Sequence, residues 1–480
     1  MTSAAVFARM QCTVILGVLF LKDPLAKLRI LISSLLSASL ILLTLSACGA
    51  GTSASGNTAP ASSELSTTSA AASIAATTNI TEVIDTTIAA EATTTAPPTP
   101  TPIELILVEP FETNPPNTTY QPVSADQSRA PGTITQTAYS VTILTSDLIS
   151  PWAVAALPDG RLVITEKAGS LRIMTADGVL SEPIGGFPAV DDRGQGGLLD
   201  VAPAPDFASG RMLYFTLAEL TDQGSLTAVG RGRLSDDESS IENFEIIWRS
   251  SPYCDNSAHF GSRLAFDQSG NIFVTTGERQ DLSTRPNAQL LDNGYGKVVY
   301  ITPDGDPVPG NPFIGVPGAL PETYTYGHRN VQGLAIHPET GEIWISEMGP
   351  RGGDELNLIK AGGNYGWPVI SYGIEYSGEP IPGGLTVMDG MEQPVYYWDP
   401  VLAPGGMTFY TSDVIAEWQG NIFIGGLASQ HISRLVLENG RVIAEEWLLA
   451  DQGQRFRDVC EGLDGALYTV TDGGLLYRIA

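Results

Sequence analysis

The stretch YGHRNVQGLAIHPETGEIWISEMGPRGGDELNLIKAGGNY, residues 326–365, alternates two kinds of sequence, and its reading decides the rest. A charged loop (Gly327, His328, Arg329, Asn330) runs into an apolar segment that ends in a turn at Gly341. A strand pattern follows over 342–346, then a second polar loop over 347–355. Strands that face a core cannot carry Arg, Asn and paired acids inward, so these residues belong where strands end and a ligand can reach them. The stretch predicts chemistry at loop ends on a rigid all-β frame.

Its turn and strand recur along the chain. Thr340-Gly-Glu-Ile-Trp-Ile is one of six copies. The others are Pro158-Asp-Gly-Arg-Leu-Val-Ile, Ser209-Gly-Arg-Met-Leu-Tyr-Phe, Ser269-Gly-Asn-Ile-Phe-Val, Gln419-Gly-Asn-Ile-Phe-Ile and Asp464-Gly-Ala-Leu-Tyr-Thr-Val. Glycine after Asp or Ser supplies the positive φ of a tight turn, and the run that follows fits a buried strand. Six such units predict an all-β, six-bladed β-propeller, each sheet burying its faces against its neighbours around a central channel. A strand over 139–144 is placed to complete the last blade and close the ring. The alternative, an elongated β-sandwich array, would need its own edge protection.

All seven Trp lie at or after Trp152, which sets the folded domain at 134–480. Upstream, 48–133 is dominated by Ser, Thr, Ala and Pro, and Phe111 is its first aromatic residue. That composition buries too little apolar area to offset the entropy of ordering, so it reads as a disordered linker. Within 1–47, Lys27 and Arg29 precede an apolar run that ends Leu45-Ser46-Ala47-Cys48, the plan of an export signal. The ending resembles a bacterial lipobox, which implies lipidation of Cys48 and a domain held at the outer face of the cell membrane. The same run also reads as a plain membrane anchor, being near the ~20 residues that span a bilayer.

Net charge is −28, with 53 acidic against 25 basic residues. A surface this acidic repels phosphates, so nucleic acid is not an expected partner and any cluster of Arg stands out. The four Cys, at 12, 48, 254 and 460, lack the spacing of a zinc site; pairing of Cys254 with Cys460 stays open.

His259 precedes the third repeat and Glu278 ends the same hairpin, so the carboxylate is placed to hold the imidazole and stabilise its cation. The bland reading of His259 is a surface-loop residue. His328 and His337 read as structural, and His431 has no acidic neighbour in sequence. Arg329 with Asn330, and Arg455 with Arg457, sit at loop-to-strand junctions of two repeats. Alternation in Arg455-Phe456-Arg457 sends both guanidinium groups to one side. Converging on a channel, the two pairs would suit a polyanion of carboxylates or phosphates. Gly349-Pro350 followed by Asp354-Glu355 forms an oxygen-rich loop of the kind that holds hard cations, without EF-hand spacing.

Assembled, these segments resemble the pyrroloquinoline quinone (PQQ) dependent sugar dehydrogenases, namely soluble glucose dehydrogenase and the aldose sugar dehydrogenases. The likeness runs from about residue 151 to the C-terminus. It rests on Gly194-Gln-Gly-Gly-Leu-Leu-Asp, His259-Phe-Gly-Ser-Arg-Leu, Gly327-His-Arg-Asn, Glu347-Met-Gly-Pro-Arg-Gly-Gly-Asp-Glu and Arg455-Phe-Arg-Asp-Val, in the family's order. The resemblance implies PQQ lying on a calcium ion at the channel mouth. It makes His259 the base that takes the proton of the sugar's anomeric hydroxyl while the C1 hydride passes to the quinone, with Glu278 as its acid partner and Gln195 near substrate and quinone. It implies Arg329, Asn330, Arg455 and Arg457 as cofactor-binding groups, the carbonyls of Gly349 and Pro350 as ligands of the PQQ-bound Ca2+, and Glu355 and Tyr365 as positions of a second, structural calcium. It departs at Ala428, where the family carries Lys; Gln430 is a neutral donor placed to reach the same space.

These readings imply oxidation of an aldose sugar to a lactone, with electrons passed to an external acceptor. A non-catalytic propeller acting as a binding module and a calcium-dependent lactonase are the competing readings.

Overall fold

Each of the six repeated runs forms or opens the second strand of a separate sheet. In the computed structural model, which describes residues 105–480, the sheets begin at Pro151–Ala156 (blade 1), Leu198–Pro203 (blade 2), Gly261–Phe266 (blade 3), Val331–Ile336 (blade 4), Pro404–Phe409 (blade 5) and Phe456–Glu461 (blade 6). These six first strands touch one another in succession, blade 6 returning to blade 1, and so line a central channel. The second strands run antiparallel to them: Leu162–Glu166, Met212–Thr221, Ile272–Thr276, Ile343–Glu347, Ile422–Gly426 and Leu467–Thr471. The predicted six-bladed propeller is the observed fold.

Between first and second strands, Gly160, Gly270, Gly341, Gly420 and Gly465 hold φ between 72° and 87°, as the turn requires. Blade 2 differs by one residue. There a short helical turn, Phe207–Gly210, hands the left-handed position to Arg211 (φ 53°).

The core is six wedges between blades. In Ile272-Phe273-Val274, the outer two residues pack with Trp248 of blade 2, while Phe273 faces Val331 and Ile345 of blade 4. In Ile422-Phe423-Ile424 the outer pair faces Trp344 of blade 4, and Phe423 joins Phe456 and Leu467 of blade 6. Period-two alternation in one strand thus feeds two wedges, which is why these runs are apolar throughout.

At the end opposite the turns, every first strand is bulged: register shifts fall at Pro151/Ala153, Leu198/Val201, Gly261/Leu264, Val331/Gly333, Pro404/Met407 and Phe456/Asp458. A bulge leaves backbone groups outside the ladder, and buried ones need partners. In blades 1 to 3 a second-strand Thr supplies them. Thr165 accepts from Ala153 N (3.1 Å) and donates to Leu199 O of the next blade (2.5 Å). Thr216 does the same between Asp200 N (2.9 Å) and Ser262 O (2.8 Å), and Thr275 between Arg263 N (2.8 Å) and Val331 O (2.9 Å). At the corresponding place blade 4 has Ser346, whose buried hydroxyl has no partner.

One guanidinium plugs the hub. Arg263 of blade 3 reaches Asp200 of blade 2 (2.9 Å) and Asp458 of blade 6 (3.0 Å), donates to Gln332 O of blade 4 (2.8 Å), and lies 4.2 Å from the ring centre of Trp152 in blade 1. Gly406 of blade 5 leaves the necessary room, since a Cβ there would stand 2.5 Å from Arg263 Nη2.

Val141–Thr145 pairs with Leu476–Ile479 and closes the ring, close to where the sequence places that strand. The linker's boundary requires correction. Residues 105–133 are laid along the outer edge of blade 5 and past blade 4, with Gly132 paired in parallel to Glu445 and Leu107–Val108 paired to Gly132–Thr133. Phe111 stacks on Trp447 (5.9 Å), Arg129 donates to the carbonyls of Glu112, Asn114 and Asp399, and Asp399 accepts from Asn117 N (2.7 Å). The segment takes its order from a sheet edge and a few anchors, not from a core of its own.

The export signal, Cys48 and the linker as far as residue 104 lie outside the described residues. Cys254 and Cys460 are both free thiols.

Candidate active site

The antiparallel first and second strands put the residue before each first strand beside the residue after each second strand. The channel mouth opposite the turns therefore gathers residues from every blade. His259 precedes Gly261 and Glu278 follows Thr276 in blade 3, and His259 Nδ1 lies 2.9 Å from Glu278 Oε2, both side chains almost wholly buried. The backbone around them is strained: His259, Ser262, Arg279 and Gln280 all hold positive φ (47°, 84°, 69° and 60°) without being glycine. The buried Arg279 guanidinium, 3.9 Å from the Phe260 ring centre, holds this loop by donating to the carbonyls of Ser225, Asn256 and Ala258.

Burial, and then the nearby Arg329, push the His259 pKa below its ordinary 6.5 against the pull of Glu278, so the ring is neutral at neutral pH. Glu278 is disfavoured as an anion by burial, yet His259 and Arg329 outweigh this and hold its carboxyl below the usual value. The pairing assigns the ring proton to Nδ1 and leaves Nε2 as the acceptor. Gln195 is tied to the same loop: its Oε1 accepts from His259 N (2.8 Å) and its backbone N donates to Ser257 O (2.7 Å).

Blade 4 supplies Arg329 and Asn330. Asn330 Oδ1 accepts from Gly261 N (3.0 Å) and Arg329 O accepts from Glu278 N (2.9 Å), so this loop is fastened to the loop of the base. Glu347 holds it from behind through Arg329 N (2.7 Å) and His328 Nδ1 (2.9 Å), and His328 is the structural brace expected of it. Arg329 Nη1 donates to Met348 O (2.9 Å) and Gly349 O (2.5 Å), while its buried Nε has no partner. The Gly349 carbonyl, expected to face a cation together with that of Pro350, thus faces a guanidinium.

Blade 6 supplies Arg455 and Arg457. They do point to one side, and both fall on one carboxylate, that of Asp472: Arg455 Nε at 2.8 Å, Arg457 Nε at 2.8 Å and Nη2 at 3.2 Å. Together with Gln195, Trp152 and Lys167 they line a pocket of ≈ 360 Å³. The sequence reading missed Lys167 and Asp472. The Gln430 amide is engaged, donating to Gly453 O (3.3 Å).

A second, very small cavity of ≈ 10 Å³ lies against Glu347, Glu355 and Tyr365. Asn357 Nδ2 donates to both carboxylates at 3.1 Å, and burial, then the neighbouring Glu347, drive the Glu355 pKa well up. The Tyr365 hydroxyl is engaged within the blade, donating to Leu358 O (2.8 Å) and accepting from Lys360 N (2.9 Å), so the oxygen this residue has to offer a cation is its backbone carbonyl.

The arrangement sets a neutral imidazole, backed by a carboxylate, near a pocket lined by two arginines and a lysine. The model of the Glucose / Sorbosone dehydrogenase family matches residues 148–478. The chain is 44% identical over 346 residues to aldose sugar dehydrogenase YliI of Escherichia coli (strain K12), covering 72% of this chain and 91% of that one. The crystal structure of the soluble aldose sugar dehydrogenase from Escherichia coli in its apo-form superposes with a TM-score of 0.68 at 42% identity, covering 72% of this chain and 99% of that one. The PQQ-bound form of an aldose sugar dehydrogenase from Streptomyces coelicolor gives 0.59 at 28% identity, over 72% and 100%. With a match across the whole ring and a base, an acid and an arginine pocket brought to one mouth, the chain belongs to the glucose/sorbosone dehydrogenase family of oxidoreductases.

Proposed function

We propose that this chain oxidises aldose sugars at C1 to lactones using PQQ and calcium, and passes the electrons to an external acceptor. The observation that carries this reading is the buried His259–Glu278 pair set beside a pocket with surplus positive charge. The residues fit a small, rigid polycarboxylate: Arg329 has a buried Nε without an acceptor, and Arg455 and Arg457 share one carboxylate between two forks. PQQ, when bound, supplies the acceptor for the hydride from C1.

The chain's own residues do the rest. His259 Nε2 takes the proton of the C1 hydroxyl, and Glu278, hydrogen-bonded at Nδ1, stabilises the imidazolium so formed and keeps the ring from turning. Gln195 and Asn330, bonded to His259 N and Gly261 N, fix the loop that carries the base. Calcium fits this reading in two places. The carbonyls of Gly349 and Pro350 would hold one cation, Arg329, now on Gly349 O, being the group that an anionic ligand would engage in its place. Glu355 and Glu347 border a cavity of single-atom size in which a cation would relieve two crowded carboxylates.

The Leu45-Ser46-Ala47-Cys48 ending supports export and anchoring of this enzyme at the outer face of the cell membrane through lipidated Cys48. The test is reconstitution of the full chain with PQQ and calcium, following sugar-dependent dye reduction. Reduction with at least one aldose is expected. No reduction with any sugar, together with no binding of PQQ, would instead make this a propeller that serves as a binding module.

A further inference from the structure

We propose that Lys167 is a binding residue for the anionic cofactor, its ammonium taking one carboxylate of the ligand held between blades 6 and 1. The inference rests on the PQQ reading above and adds to it a residue from blade 1.

Lys167 follows directly on the second strand of blade 1, Leu162–Glu166, and so stands at the channel mouth in the same register as Asp472 after Leu467–Thr471. Its Nζ donates to Gly194 O at 2.6 Å. An ammonium has three donors, and among the described residues the other two meet no acceptor and no carboxylate at ion-pair distance. Lys167, Arg455 and Arg457 line the ≈ 360 Å³ pocket against a single acid, Asp472. Among the lining groups three positive against one negative leave a surplus in the wall, which the nearby Asp192 reduces without removing it, in a chain whose net charge is −28. A net positive concave site favours an anionic ligand. Burial, and then the adjacent Arg457, pull the Lys167 pKa down and outweigh the opposite pull of Asp472 and Asp192; an anion between the two cations would relieve this.

The simpler role for Lys167 is to prop the Gly194 carbonyl and, through it, Gln195. The two roles separate in binding. The full-length chain, Lys167→Gln and Lys167→Arg are titrated with PQQ in the presence of calcium, reading quinone absorbance and the fluorescence of Trp152 in the pocket wall. Losing one charge-assisted contact should weaken PQQ binding by about tenfold or more in Lys167→Gln, and the loss should shrink as salt is added. Lys167→Arg should stay within about threefold, because it keeps the charge. Lys167→Met, which keeps the stem, replaces Lys167→Gln if that variant fails to fold. Failure of the unmodified chain to bind PQQ would overturn the proposed function and this inference together. Unchanged binding in Lys167→Gln, with turnover reduced, would overturn the Lys167 role alone and leave it a prop; equal losses in the Gln and Arg variants would overturn the assignment to charge.

Discussion

The two sides of the channel mouth are built differently. The base side, on blades 3 and 4, is almost closed to solvent: the His259 and Glu278 side chains are 3% and 1% exposed. The arginine side, on blades 6 and 1, is open, with Arg455 and its partner Asp472 at 48% and 31%. The joints beneath do not follow that division. Thr165, Thr216 and Thr275 relay between blades 1 through 4, and carboxylates on both sides do the same work: Asp200 of blade 2 accepts from Leu264 N of blade 3 (2.8 Å) and Asp458 of blade 6 from Val154 N of blade 1 (2.8 Å). The base is fixed before any ligand arrives. The arginines rest on a resident carboxylate, Asp472, which under the proposed function an anionic ligand would displace or share.

If that contrast holds, perturbing the base side should cost far more than perturbing the rest. Removing the proton acceptor with His259→Gln should lower kcat by about 10²- to 10⁴-fold while PQQ affinity changes little; loss of affinity equal to the loss of rate would show that the two sides are not separate. The hub is next. Arg263→Leu strands Asp200 and Asp458 as buried acids and should cost about 3–5 kcal/mol in denaturant unfolding.

A single relay should matter less. Thr275→Val keeps the shape but leaves Arg263 N and Val331 O without their bridge, for about 1–3 kcal/mol by the same measurement. The smallest effect is on pH. Because the His259 pKa is lowered in the folded protein, the acid limb of kcat/KM should fall below pH 6.5. The stability that the neutral ring contributes is complete above 6.5 and is lost as pH falls through the lower folded value. An acid limb above 6.5 in the free enzyme would contradict the buried geometry.

Much of the frame was legible because each blade repeats a short-range signal. A glycine turn followed by an apolar run marked every second strand, and only blade 2 broke the pattern, by passing the left-handed position to Arg211. His259 and Glu278 were legible as a pair because a hairpin returns its ends to one place. Lys167 and Asp472 were also within reach of the sequence: in five blades the residue seven positions past the turn glycine arrives at the mouth (Gly160 to Lys167, Gly270 to Gly277, Gly341 to Met348, Gly420 to Leu427, Gly465 to Asp472). What no local pattern carries is the order of residues 105–133, since Asn117 finds its partner Asp399 282 residues away.

That docked segment has a mechanical consequence. Tension applied to the chain upstream of residue 105 arrives first at the rim of blade 5, where two short strands must be peeled away, and only afterwards at Val141–Thr145, on which closure of the circle depends. The segment works as a strain relief, shielding the closing strand from forces at the amino-terminal side.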